Sequence, residues 1–340
     1  MNVIELHGLT KRYGGMHAVD GLDMRVAQGD IYGFVGKNGA GKSTTMKIVA
    51  GLTEPTSGTV RVFGVEGRGP AFSSAYSRIG ALIEQPGIQP NFSAYENLMM
   101  KALAIGVIKP RIQCTELLEL VGLDPASPRK AKKFSMGMKQ RLGLALALVG
   151  SPDLLMLDEP FNGLDPEATR ELRGALMTMN RERGVTMVIS SHVLDQLNRM
   201  ATRFGVIRQG RMVREFTDDE LHATCSSSIR VKTTDPARSL ALLEERLPAA
   251  TFRAEPDGAI SIMGVTGERH AASAFGGAAG DATVSAPAVE EVSRALAAAD
   301  QIILELIVVE RDVEEYFVEL MGGYGDDHAG AVPAPRHARR

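Results

Sequence analysis

The sequence predicts an α/β fold on a mostly parallel sheet, and three observations carry that expectation. A short apolar run, Ile31–Val35, leads into a glycine-rich turn and then a helix. Two more apolar runs of strand length, at 154–157 and 185–189, alternate with segments whose apolar residues recur at helical spacing. The first of these ends in adjacent carboxylates, Asp158-Glu159, where ligand chemistry gathers at the carboxyl edge of a parallel sheet.

The turn after Val35 reads Gly36-Lys37-Asn38-Gly39-Ala40-Gly41-Lys42-Ser43-Thr44. Strand, glycine-rich turn and helix start are the context that a G-x-x-x-x-G-K-[ST] phosphate loop needs. Glycines let the backbone curl, so that successive N–H groups and a helix N-terminus hold a polyphosphate. Lys42 brings a mobile cation to the β- and γ-phosphates, and Ser43 places a hydroxyl for Mg²⁺. A glycine-rich turn with no such role is the alternative, and the flanking strand and helix disfavour it. The residues themselves point to a nucleoside triphosphate site.

Composition narrows the class. A chain of 340 residues predicts two domains, or one large and one small. Net charge of −3 and a pI near 6.2 give no basic field, so no nucleic-acid partner is expected. Cys114 and Cys225 lie far apart without metal spacing, and both are expected to be structural in a reducing setting. The chain begins as an amphipathic strand and not as a signal peptide, and no apolar run reaches the length of a membrane span.

In chain order, strands are predicted at 3–6, 22–26 and 31–35, with turns at Gly14-Gly15 and Gly29-Asp30. Tyr13 falls in the first turn, where its ring can stack on a purine; a loop tyrosine more commonly just packs. A turn at 54–58 leads into a strand at 59–63. Residues from about 85 to 150 read as an all-helical insert, with a Ser93–Glu96 capping box, a second helix closed by Gly122 and a third opened by Ser135. A helix capped at Asp165-Pro166 stops at Gly184. Another, carrying Val193, Leu197, Met200 and Phe204, is expected after Ser190-Ser191-His192. From about 216 the pattern becomes a small α+β appendage: strands at 229–232, 260–263 and 302–309, helices at 240–247, 289–299 and 312–321. Residues 264–288 read as a mobile loop and 323–340 as a disordered tail.

The order of motifs resembles the ATP-binding subunit of an ABC transporter, over about residues 2 to 215. Tyr13 matches the aromatic that stacks on adenine, Gly36–Thr44 the Walker A loop, and Phe134-Ser135-Met136-Gly137-Met138 the signature loop. Residues 154–159 are similar to Walker B, with Asp158 on the Mg²⁺ side and Glu159 at the catalytic position. Gly163-Leu164-Asp165 matches the D-loop and His192 the switch histidine. The resemblance implies a P-loop NTPase over 1–215, with a RecA-like core sheet, an antiparallel β-subdomain and a helical subdomain at about 85–150; the α+β appendage at 216–322 lies beyond it. It implies ATP and Mg²⁺ as cofactors. Two copies, or one copy and a paralogue, would pair head to tail, with Ser135 and Gly137 of each completing the other's site.

Two departures carry information. Met136 and Met138 stand where Gly and Gln are usual, yet Ser135 and Gly137 are kept. Glu84 falls at the Q-loop glutamine, where a carboxylate would bind Mg²⁺ more strongly than an amide; a slip of one residue would restore Gln85. The glutamate, and the closing helix at 312–320, resemble the lantibiotic-protection group and its bacitracin-resistance relatives. The resemblance therefore implies an exporter ATPase for a peptide antibiotic, peripheral to the cytoplasmic face of the membrane through a separate permease. The alternatives are the ATPase of another exporter or importer, or a soluble ABC ATPase of translation or DNA repair. The latter is disfavoured by a single motif set, a short insert and no basic stripe.

Overall fold

Residues 1–67, 70–84, 86–191, 194–225, 228–248, 250–263, 286–309 and 312–322 are described by a computed structural model. β1 (Asn2–Tyr13) and β2 (Met16–Ala27) pair as an antiparallel hairpin turned at Gly14-Gly15, and burial alternates along β2 from Leu22 to Val26. β3 (Ile31–Val35) is buried on both faces and feeds the glycine-rich turn and α1 (Lys42–Val49). β4 (Ser57–Val62) and β5 (Val65–Glu66) complete a four-stranded antiparallel sheet of order β2-β1-β4-β5. α2 (Pro70–Tyr76) and the four-residue β6 (Ile79–Leu82) follow. The insert before the next strand is helical: α3 (Ala94–Ala104), α4 (Pro110–Leu120) and α5 (Met136–Leu148).

β7 (Leu154–Asp158), α6 (Pro166–Arg183), β8 (Thr186–Ser191), α7 (Leu194–Asn198), β9 (Arg203–Arg208) and β10 (Arg211–Thr217) close this part of the chain. The second sheet has the order β10-β9-β3-β8-β7-β6, parallel except for β10. β7 and β8 are wholly buried, as strands covered on both faces must be. One core joins the two sheets: Ile4, Leu6, Leu22 and Val62 of the antiparallel sheet pack with Phe34, Met156 and Val188 of the parallel one and with Met46 of α1. Each such fully buried side chain contributes on the order of 2 kcal/mol.

The last part is α8 (Asp218–Cys225), β11 (Ser228–Thr233), α9 (Pro236–Arg246), β12 (Thr251–Ala254), β13 (Ile260–Met263), α10 (Ala286–Ala298), β14 (Ile303–Val309) and α11 (Val313–Leu320). Its antiparallel sheet has the order β12-β13-β11-β14, and Ile229, Val231, Ile260 and Ile262 pack with Leu243 of α9 and Val292 and Leu296 of α10. The chain forms two compact units, Met1–Asp218 with the chain end from Val318, and Asp219–Phe317. The division expected at 215/216 falls inside β10.

Some elements differ from expectation. The helix read from Val193 to Phe204 ends at Asn198, and Phe204 lies in β9. Its apolar spacing fits a helix by coincidence, while Gln209 and Gly210, both at positive φ, turn β9 back into β10 as a hairpin. β6, β10 and β12 were not anticipated, nor was α2. α10 starts at Ala286, inside the segment read as a loop; the rest of that segment and the 323–340 tail lie outside the described residues.

Candidate active site

Four parallel strands end in one row: Val35 of β3 lies opposite Ser191 of β8, Ser190 opposite Asp158 of β7, and Leu157 opposite Leu82 of β6. The glycine-rich turn, Glu159 and Glu84 therefore all leave the sheet at the same edge. His192, Gln85 and whatever they do lie outside the described residues.

The turn is wedged between two strands. A Cβ on Gly36 would sit 2.5 Å from the carbonyl oxygen of Ile207, and one on Gly41, at φ 113°, 2.5 Å from that of Ala18. Only glycine fits at both places. α1 begins at Lys42 with no side chain capping its first turn, so its free N–H groups and positive dipole end face the turn. The Lys42 ammonium donates to the carbonyls of Gly36 at 2.5 Å and Lys37 at 3.2 Å. Burial lowers its pKa, while the nearby Glu159 and Asp158 pull it the other way.

Asp158 is buried, and its Oδ1 accepts from the Ser190 hydroxyl. Glu159 is half-buried with φ at 50°, a left-handed conformation that costs a non-glycine residue on the order of 1 kcal/mol. Its N–H donates to both the carbonyl and the Oγ of Ser190, each at 3.1 Å. Its carbonyl accepts from Gln140 Nε2 at 3.1 Å and from the Asn162 N–H at 3.2 Å. Sequence reasoning missed the parts of Ser190 and Gln140. Ser190 was findable only through the register of β7 on β8, and Gln140 only through the packing of α5.

A cleft of about 310 Å³ collects Tyr13, Asn38, Gly39, Gly41, Lys42, Ser43, Thr44, Asp158 and Glu159, with Met16, His17 and Ala18. Gly36, Lys37 and Ala40 shape the turn behind it. The Tyr13 ring is half exposed, with the Lys11 ammonium 5.0 Å from its centre. The donor set suits a magnesium-bound triphosphate: an uncapped helix start and a lysine for phosphate, a buried carboxylate and a hydroxyl for a hard cation that keeps its waters.

Ser135, Gly137 and Asp165 line a different cleft, of about 360 Å³, that shares no residue with the first. The Ser135 side chain is exposed and caps α5, its Oγ accepting from the Met138 N–H at 3.3 Å. Gly137 packs closely on the 163–165 turn: a Cβ there would lie 2.9 Å from the Gly163 carbonyl. Asp165 caps α6 through the Ala168 N–H at 2.8 Å. Glu84, also at positive φ, accepts from the Lys47 ammonium of α1 and is not among the residues lining either cleft.

The ABC transporter family profile matches residues 19–162. The bacitracin transport ATP-binding protein BcrA of Bacillus licheniformis is 35% identical over 94% of this chain and 98% of its own length. The lantibiotic transport ATP-binding protein SrtF of Streptococcus pyogenes is 41% identical over 63% of this chain and 90% of its own. Among solved structures, the dimeric ATP-binding cassette MJ0796, in a post-hydrolysis state with ADP and Pi, superposes with a TM-score of 0.59 over 63% of this chain and 98% of that one, at 24% identity. An alignment of that length and identity with BcrA, laid over a core sheet whose strand ends gather the phosphate turn and the Asp158-Glu159 pair, fixes the kinship: the chain belongs to the ATP-hydrolysing, ATP-binding subunits of ABC transporters.

Proposed function

We propose that two copies of the chain, or one copy and a paralogue, close head to tail around two ATP molecules. Their hydrolysis drives export of a peptide antibiotic of the bacitracin kind through a separate membrane permease at the cytoplasmic face. The observation that carries this reading is the separation of the two clefts, since Ser135 and Gly137 lie apart from the phosphate turn of their own chain. A second chain turned by a two-fold axis would bring each signature tip to the other's phosphates, a self-complementary arrangement.

Within each site Lys42 and the α1 N-terminus hold the phosphates, and Tyr13 stacks on the base. Ser43 and Asp158 would hold Mg²⁺, with Glu84 as a further oxygen donor. Held there, the ion would supply charge neutralisation for the triphosphate. Glu159 orients and deprotonates the attacking water, and the motif position of His192 assigns it the part of sensing the γ-phosphate. Phosphoryl transfer to water needs mainly such positioning, which fits a site of few groups set by backbone.

The likeness to BcrA supports bacitracin-type cargo over lantibiotics. Its 321 aligned residues extend into the unit Asp219–Phe317, whereas the SrtF match spans 213. The appendage at 216–322 serves a structural or regulatory role in this reading. No helix among the described residues is long and apolar enough to cross a membrane, so docking on a permease is how the subunit would reach one.

Glu159→Gln tests the scheme. The variant should bind ATP normally, lose turnover by roughly 100- to 10,000-fold, and run as a dimer on light-scattering chromatography only with ATP present. A variant that turns over normally, or stays monomeric at saturating ATP, overturns the reading. Expression together with a cognate membrane permease should raise bacitracin tolerance in a sensitive host, and unchanged tolerance rejects that cargo.

A further inference from the structure

Glu159 sits at the end of a buried strand in a backbone conformation that few glutamates adopt, so its neighbours must hold it there. On its N-terminal side both bonds come from β8, through the carbonyl and hydroxyl of Ser190. On its C-terminal side one bond is local, from Asn162, and the other comes from a distant element: the Gln140 amide, 3.1 Å from the Glu159 carbonyl. Gln140 stands at the start of the second turn of α5, five residues beyond the capping Ser135. That is about 7.5 Å of one continuous helix. The segment therefore carries, at its tip, the serine of the signature cleft and, one turn in, a donor on the backbone of the catalytic-position glutamate.

We infer that Gln140 is a positioning residue, through which the state of the signature tip sets the backbone, and so the carboxylate direction, of Glu159 in the same chain. The inference rests on the head-to-tail reading above. When Ser135 closes on the partner's ATP, α5 moves as a rigid rod, and Gln140 passes that movement to Glu159. Each chain then hydrolyses its own ATP in response to the other's, which makes the two sites cooperative. Gln140 is half-buried and its partner is a single carbonyl, so this link can change without loss of the core.

Three substitutions in the full-length chain test it. Gln140→Met keeps length and loses the donor; Gln140→Glu keeps shape and sets an acceptor against an acceptor; Gln140→Lys keeps a donor of similar reach. For Met and Glu the expected result is a kcat about tenfold lower with ATP affinity held within about twofold, since one neutral hydrogen bond is at stake. The Hill coefficient for ATP should fall from about 2 toward 1, while Lys keeps most of both. Melting temperatures should stay close to wild type. Wild-type kcat and cooperativity in Met and Glu overturn the role, as does a Lys variant as impaired as Met, or a loss of kcat matched by loss of ATP affinity. The Glu159→Gln dimer separates the two ideas. If that variant stays monomeric with ATP, the head-to-tail scheme fails; if it dimerises while Gln140→Met behaves as wild type, only the Gln140 link fails.

Discussion

Lys42 donates to two neutral carbonyls of the turn that carries it, and a triphosphate would replace those acceptors with anionic ones. Charge-assisted bonds of that kind are worth about 1.5–3 kcal/mol, so Lys42→Ala should weaken ATP binding by roughly 10- to 100-fold in an equilibrium titration. An unchanged affinity would remove Lys42 from the site. Glu84 presents the opposite case, a carboxylate already paired, with Lys47, at a point where both side chains are partly exposed. Such pairs are worth about 0.2–1 kcal/mol, so Glu84→Gln should barely move the melting temperature. If Glu84 is a magnesium donor, the same change raises the Mg²⁺ concentration needed for half-maximal turnover; if Gln85 has that part instead, the Mg²⁺ dependence stays put. Lys42, Ser43 and Asp158 could be found from the sequence because their chemistry goes with a local pattern. Ser190 could not, because its bond to Asp158 exists only once β7 and β8 pair in the right register.

Helix α3 shows what a local signal can and cannot say. Ser93 Oγ accepts from the Glu96 N–H, and Glu96 Oε2 accepts from the Ser93 N–H, the reciprocal pair that the Ser-x-x-Glu spacing predicts. Ser93→Ala should cost about 1 kcal/mol in chemical denaturation, and a loss below a few tenths would mean the cap is redundant. The Ser93 backbone N–H and then Lys130 hold the Glu96 pKa below its ordinary 4.5. A depressed carboxylate stabilises the fold above its unfolded pKa and ceases to do so as pH falls through the folded one. The Glu96→Gln variant should therefore lose its deficit against wild type as the pH drops below about 4.5, which urea titrations across that range would reveal. Caps at Ser135, Asp165 and Gly184 were equally visible, each a local side-chain or glycine signal. The β9–β10 hairpin was not. Val193, Leu197, Met200 and Phe204 satisfy a helical period, and only the pairing of β9 on β3 decides that Phe204 belongs to a strand. Of the four-residue strands, β13 is legible because Ile260 and Ile262 alternate, whereas β6 shows no alternation and β12 has a single large apolar residue, Phe252.

At the scale of the whole molecule, the two units each have a core of their own among the described residues. The first packs the antiparallel sheet and α1 against the parallel sheet; the second packs β11 and β13 beneath α9 and α10. Every described residue of the phosphate cleft belongs to the unit Met1–Asp218. A ligand stabilises the cooperative unit whose native form binds it, by about 2.7 kcal/mol at a hundred times its Kd. For a unit of this size that is a rise of roughly 5–10 °C in melting temperature. Calorimetry of the full-length Glu159→Gln variant with and without ATP should therefore show one transition that climbs by that amount and a second that stays where it was. Hydrogen exchange tells which is which: ATP should deepen protection in β3, α1 and β7 and leave β11, β13 and α10 unchanged. A single transition moving as a whole would instead mean that the second core unfolds only with the first. Nucleotide occupancy would then reach the appendage through stability alone, and deleting it would weaken the ATP-binding unit itself.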